Sequence, residues 1–91
     1  MKYFDWDDEK NEQLIKNRGI SFEEVLIAIE SGYLLDVIEH SNKAKYPNQR
    51  IFIVRIEDYA YLVPFVEDKE KIFLKTIIPS RKATKRCINN K

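Results

Sequence analysis

One cysteine, Cys87, and one histidine, His40, occur in the 91 residues. A lone thiol excludes an internal disulfide, and with one imidazole there is no Cys/His set at zinc spacing. Cys87 reads as a buried or incidental thiol. A Ser-His-acid or Cys-His couple would have to use His40, which has no supporting motif around it and reads as an exposed, idle loop residue. The two glycines, Gly19 and Gly32, stand too far apart to build a phosphate-cradling loop. No apolar run is long enough to span a bilayer and no basic-then-apolar leader is visible, so the expectation is a soluble cytoplasmic protein with no membrane role and no cofactor.

What is present is charge, unevenly placed. The chain is long enough for one domain with a modest core. Its net charge is only +1, yet residues 1–40 hold four basic against ten acidic residues, and residues 41–91 hold twelve against five. Such a dipolar chain either presents a basic surface to a polyanion or neutralises itself across the fold.

The organising stretch is Arg50 to Thr84. Three apolar runs rich in β-branched and aromatic residues are broken at Glu57-Asp58 and at Glu67-Asp68-Lys69-Glu70, which predicts an antiparallel meander with short acidic turns. Alternation puts Phe52, Val54, Ile56, Leu62, Ile72, Leu74 and Ile78 on an apolar face. The other face then interleaves Ile51, Ile53, Tyr61 and Phe73 with Arg55, Glu57, Lys71 and Lys75. Pro64 cannot donate to a ladder and predicts an edge position or a bulge.

Before the meander, residues 1–6 read as a short strand or extended arm. Asp7-Asp8-Glu9 places a cap and two carboxylates at the start of a helix that Gly19 stops, held by a thin stripe of Leu14 and Ile15. Ser21 and Glu24 form a capping box and Ile20 with Val25 a hydrophobic staple; Phe22, Val25, Leu26 and Ile29 then give a second helix an apolar face up to Gly32. Residues 33–38 predict a strand, followed by a polar loop containing Pro47. After the meander, Ser80 is a natural N-cap for a terminal helix carrying Arg81, Lys82, Lys85 and Arg86. Two cations in its first turn have the wrong sign for a helix N-terminus, at about 0.3–1 kcal/mol each when exposed. A bound anion would reverse that cost; a salt bridge back to Glu67-Asp68 would do so without function. The fold class is therefore α+β: an antiparallel meander with two N-terminal helices on one face and a C-terminal helix.

Arginines and lysines with a glutamate and tyrosines on or beside a sheet suit RNA cleavage. A base removes the proton of the ribose 2′-OH, the oxygen attacks the adjacent phosphorus, and fixed cations meet the developing charge. Glu57 is the candidate base; Arg55, Lys75 and Arg81 are candidates to bind phosphate and stabilise that charge; Tyr61 is a candidate to stack a splayed base. A solvated sheet face would show the same residue types.

Three segments carry a resemblance: Phe4-Asp5-Trp6-Asp7-x-Glu9-Lys10-Asn11, Gly19-Ile20-Ser21-Phe22-Glu23-Glu24, and Ile77-Ile78-x-x-Arg81-Lys82-Ala83-Thr84. In order and spacing they resemble the BrnT toxins of bacterial type II toxin-antitoxin modules. The resemblance implies a RelE-like fold, ribonuclease activity that arrests translation, and neutralisation by a cognate DNA-binding antitoxin of BrnA-like or ribbon-helix-helix type, with promoter DNA reached only through it. By position, the matching polar residues are Lys10, Arg50, Glu67, Arg81 and Lys82. Lys10, Arg50, Tyr61, Lys82 and Lys85 make up the expected RNA-binding set. Arg18 stands where the family usually has histidine, and Thr76 where it usually has arginine; the neighbouring Lys75, on the opposite face, does not reproduce a bidentate arginine. A non-catalytic module of the same fold, complexing only its partner, is the alternative. A partnerless nucleic-acid binder fits less well because the cations do not form a continuous stripe in the sequence.

Overall fold

A computed structural model describes residues 2–39, 44–45 and 49–87; His40, Pro47 and the side chain of Cys87 lie outside the described residues. The elements run β1 (Tyr3–Trp6), α1 (Asp8–Arg18), α2 (Phe22–Glu30), β2 (Leu34–Glu39), β3 (Gln49–Ile56), β4 (Tyr59–Glu67), β5 (Lys71–Leu74), β6 (Ile78–Pro79) and α3 (Arg81–Cys87). The class is α+β. The sheet has the order β1-β5-β4-β3-β2, and β6 continues along β4 beyond β5. It is mixed: β2 to β5 pair antiparallel, whereas β1 lies parallel to β5, with Phe4 opposite Ile72. The sequence reading lacked that parallel edge.

Local chemistry places the helices. Asp7 caps α1 by accepting from the Glu9 and Lys10 amides, and Gly19 ends it at φ 67°, a left-handed position that glycine takes without steric cost. The Ser21 hydroxyl accepts from the Glu24 amide at 3.2 Å, and the staple partners Ile20 and Val25 are both buried. Leu14 of α1 is buried while Ile15 remains about half exposed. The second α1 anchor is polar: Asn11 accepts from the Phe22 amide and donates to Glu23, each at 2.8 Å, which ties α1 to the start of α2.

One sheet face packs on these helices. Phe52, Val54, Val63, Phe65 and Leu74 meet Leu14, Ile20, Phe22 and Val25, with Phe52 stacked on Phe65 at 3.9 Å and Trp6 on Phe22 at 5.6 Å. The opposite face carries Ile53, Ala60 and Leu62 and is covered by α3 through Ala83.

The face assignment from the sequence needs correction. Leu62 pairs with Ile53, and Ile78 with Leu62, so both lie on the α3 face. Tyr61 pairs with Val54 and lies on the α1/α2 face. The cause is the two-residue turn at Glu57-Asp58: with Ile56 opposite Tyr59, an even-numbered position on β3 shares its face with an odd-numbered one on β4. Glu57 is not a strand residue at all. It sits in that turn at φ 59°.

Pro64 is neither at an edge nor in a bulge. It lies inside β4, paired with Ile51, and its carbonyl accepts from the Lys75 amide at 2.8 Å. Its nitrogen therefore faces the same neighbour, just where β5 has ended, so the missing donor coincides with the interruption between β5 and β6.

Candidate nucleic-acid interface

The α3 face gathers a cluster of basic residues. Alternation along β5 puts Lys71 and Phe73 on this face; Lys75, just after the strand, extends over the same Phe73 ring, and Arg55 joins the face from β3 opposite Ala60. Both Lys71 and Lys75 place their ammonium groups 5.7 Å from the Phe73 ring centroid. Over the sheet lies α3, whose seven residues include Arg81, Lys82, Lys85 and Arg86, all exposed, and no acid. By contrast, the segment spanning α1 and α2, residues 7–32, carries three basic and seven acidic residues. The two layers thus have opposite charge, and the sheet separates them.

Ser80 fixes the start of α3. Its amide donates to Ala60 at 3.0 Å and its hydroxyl accepts from Ala83 at 3.1 Å, the N-cap expected from the sequence. Thr84 completes the attachment: its hydroxyl accepts from the buried Ala60 amide at 2.9 Å and donates to the Ser80 carbonyl at 2.8 Å. Because Ala60 pairs with Arg55, the start of α3 stands two strand spacings from Arg55, about 10 Å.

Arg81, Lys82, Lys85 and Arg86 make no ion pair with any described residue. The possible bridge from Arg81 or Lys82 to Glu67 is not formed, since Glu67 holds Lys2 at 2.6 Å and Arg50 besides. Those cations, Lys2 first, hold the Glu67 carboxyl below its ordinary value. Amides of Lys71 and Glu70 do the same for Asp68.

The candidate residues divide into groups. Arg55 and Glu57 come together at the hairpin end, where the Arg55 Nε donates to the Glu57 carbonyl at 2.9 Å and a terminal nitrogen meets Asp58 at 3.1 Å. The Arg55 guanidinium also lies 5.9 Å from the Tyr33 ring centroid. Arg55 and Glu57 also line a cleft with Tyr33 and with Glu24, Ile27 and Ala28 of α2, whereas Arg81 is linked to Arg55 only by the backbone route through Ser80 and Ala60. Lys75 is set apart: it bonds Pro64, four residues and about 13 Å along β4 from Ala60. Lys82 and Lys85 share α3 with Arg81. Lys10, Arg50 and Tyr61 belong to the other side: Lys10 on α1, Arg50 paired with Glu67 and 5.3 Å from the Phe65 ring centroid, and Tyr61 beside Val54. Burial raises the Tyr61 hydroxyl pKa, aided by the negative Glu57 and by Tyr59 and Glu24, an environment that a polyanion would not favour.

The reading of the residues missed a cavity. About 190 Å³ of space opens between α3 and the sheet, bounded by Ile38, Ile53, Leu62 and Ala83, with Asp36, Ser80, Lys82 and Arg86 supplying the polar groups. The i, i+4 spacing of Lys82 and Arg86 was the available signal; Asp36 gave none.

A family model described as the ribonuclease toxin BrnT of type II toxin-antitoxin systems matches residues 6–86. The chain belongs to the BrnT family. A solved BrnT, the ribonuclease toxin of Brucella abortus, has a similar fold at a TM-score of 0.65 and 13% identity, covering 88% of this chain and 97% of that one. No curated protein matches. In this BrnT-family chain the matched span includes both charge layers, from Trp6 of β1 to Arg86 of α3. Membership in a type II toxin family carries ribonuclease activity and an antitoxin partner as family attributes. Among the described residues no helix is long and apolar enough to cross a membrane.

Proposed function

We propose that this chain is an endoribonuclease toxin of RelE-like layout that cleaves RNA through 2′-OH attack without a metal, acts in the cytoplasm, and thereby arrests translation. The observation that carries this reading is the charge separation across the sheet. Among the described residues the four cations of α3 have no acidic partner, and they share the side on which Phe73 offers a flat ring with Lys75, with Lys71, which is paired to Asp5, and with Arg55, which is paired to Asp58. Phosphates bind to such cations and bases stack on such rings.

In the proposed reaction Glu57 takes the 2′-proton, and the 2′-oxygen bonds to phosphorus. The phosphorus–O5′ bond breaks, O5′ takes a proton from solvent, and a 2′,3′-cyclic phosphate is left. Arg81 and Arg55, on either side of Ala60, bind the phosphate and offset its charge; Lys82, Lys85 and Lys75 hold the flanking strand. Lys10, Arg50 and Tyr61 lie on the α1/α2 side of the sheet, away from α3, and are given no step in this path, although Tyr61 lies close enough to Glu57 to feel its charge.

A cognate DNA-binding antitoxin, BrnA-like or of ribbon-helix-helix type, neutralises the toxin by covering the basic side, and promoter DNA is met only through it. A second reading, a non-catalytic module that only complexes the antitoxin, is favoured by one observation: Arg55 already clamps its own turn through Glu57 and Asp58. Purified protein incubated with single-stranded RNA in EDTA separates the two. The proposal expects fragments ending in 2′,3′-cyclic phosphate; binding without cleavage selects the second reading.

A further inference from the structure

The cavity under α3 combines three features that the cleavage step does not use. Its floor is apolar, formed by Ile38, Ile53, Leu62 and Ala83. Its rim has two cations, Lys82 and Arg86, one helical turn apart. It also holds one carboxylate, Asp36, placed on the α3 face by its pairing with Ile53. Asp36 forms no ion pair with either cation, and its one hydrogen bond among the described residues is Oδ1 accepting from the Val37 amide at 2.8 Å. A carboxylate has room for several more donors. The space, about 190 Å³, is smaller than the roughly 300–1,000 Å³ of pockets that take drug-sized ligands. One planar base suits it better than a whole nucleotide does.

We propose that this cavity receives a guanine base of the RNA, with Asp36 reading its Watson–Crick edge while Lys82 and Arg86 hold the adjoining phosphate. Guanine alone among the four bases presents two adjacent donors, N1–H and the exocyclic amine, which match the two acceptor oxygens of a carboxylate. Adenine and cytosine place a ring acceptor beside their amine, and uracil flanks its one N–H with carbonyls; each turns a lone pair toward Asp36. Aliphatic side chains on the floor take the face of the ring, as apolar walls do around splayed bases. An aliphatic side chain filling the apolar floor would leave Asp36 without a donor, whereas a planar base with N–H groups on its edge meets both the floor and the carboxylate. The inference rests on the ribonuclease reading for its substrate, and it concerns base preference, not cleavage.

The test uses the full chain and mononucleotides, which require no turnover. Methyl signals of Ile53, Leu62 and Ala83 are followed while 3′-GMP, 3′-AMP, 3′-CMP and 3′-UMP are added separately. The expected result is that 3′-GMP shifts these methyls and binds at least about tenfold tighter than the others. Asp36→Asn, whose amide offers one donor and one acceptor, no longer matches the two donors of guanine and should abolish the preference for 3′-GMP in favour of 3′-AMP and 3′-CMP, and Lys82→Ala should weaken all four alike. Equal affinities, or a guanine preference that survives Asp36→Asn, overturn the assignment. So does the absence of methyl shifts with every nucleotide, which would return the cavity to a side chain of the antitoxin. RNA cleavage without guanine preference defeats this inference and leaves the ribonuclease reading intact. Guanine binding without cleavage does the reverse.

Discussion

The Thr84 hydroxyl is the acceptor for the buried Ala60 amide, at 2.9 Å, and this bond joins the helix bearing the free cations to the central hairpin. Ala60 is completely buried, so its N–H has no recourse to water. Thr84→Val keeps the shape and removes the acceptor. It is expected to cost about 1–3 kcal/mol in urea unfolding, the penalty of a buried unsatisfied donor. Thr84→Ser, which keeps the hydroxyl, should recover most of that loss.

Asn11 predicts a similar dependence at the other layer. It satisfies the Phe22 amide and holds Glu23, and it is the principal reason the Glu23 carboxyl titrates below its ordinary value. Asn11→Ala is expected to lower stability by about 1–3 kcal/mol through the orphaned Phe22 amide. It should also return the Glu23 titration, followed by NMR, toward the ordinary glutamate range.

Acid should weaken the fold, and the sign is fixed by three carboxyls. Glu23, Glu67 and Asp68 all titrate lower when folded than their reference values of 4.5, 4.5 and 3.8. A depressed folded pKa contributes stability that is complete above the unfolded value and is lost as pH falls through the folded one. The melting temperature should therefore hold near neutrality and drop below about pH 4.5. Glu67→Gln, which removes the partner of Lys2 and Arg50, should flatten part of that drop; an unchanged pH profile would assign the acid sensitivity elsewhere.

Glu57 separates shape from chemistry. Its φ of 59° is unfavourable for a side chain with a Cβ and free of that cost for glycine. Glu57→Gly is expected to leave the fold as stable or up to about 1 kcal/mol more stable. If Glu57 is the base, the same variant loses RNA cleavage by at least about a hundredfold. A stable variant with full activity would move the base to another residue.

Much of the fold was legible because it is written locally. Asp7, Gly19, Ser21 and Ser80 act within a few residues of themselves, and each caps or stops its helix as its chemistry dictates. The sheet was less legible. Whether Tyr61 or Leu62 faces the helices turns on a single residue of turn length at Glu57-Asp58, which apolar alternation alone does not specify. The parallel contact of Phe4 with Ile72 joins parts of the chain too distant to leave a local pattern. In the site, the cations of α3 were visible as a run, whereas the partnership of Arg50 with Glu67 and the placement of Asp36 beneath α3 arise only from the strand register.

The most direct measurement of the central claim, that the α3 side holds the RNA, is a comparison of two charge-matched double variants in RNA binding and cleavage across a salt series. Arg81→Ala with Lys82→Ala removes two free cations from α3; Lys16→Ala with Lys69→Ala removes two from α1 and the β4–β5 turn. The account predicts that the first pair loses cleavage and reduces the salt slope by about 1–2, while the second behaves as the parent protein. Equal losses from both pairs, or full activity in the first, would contradict it.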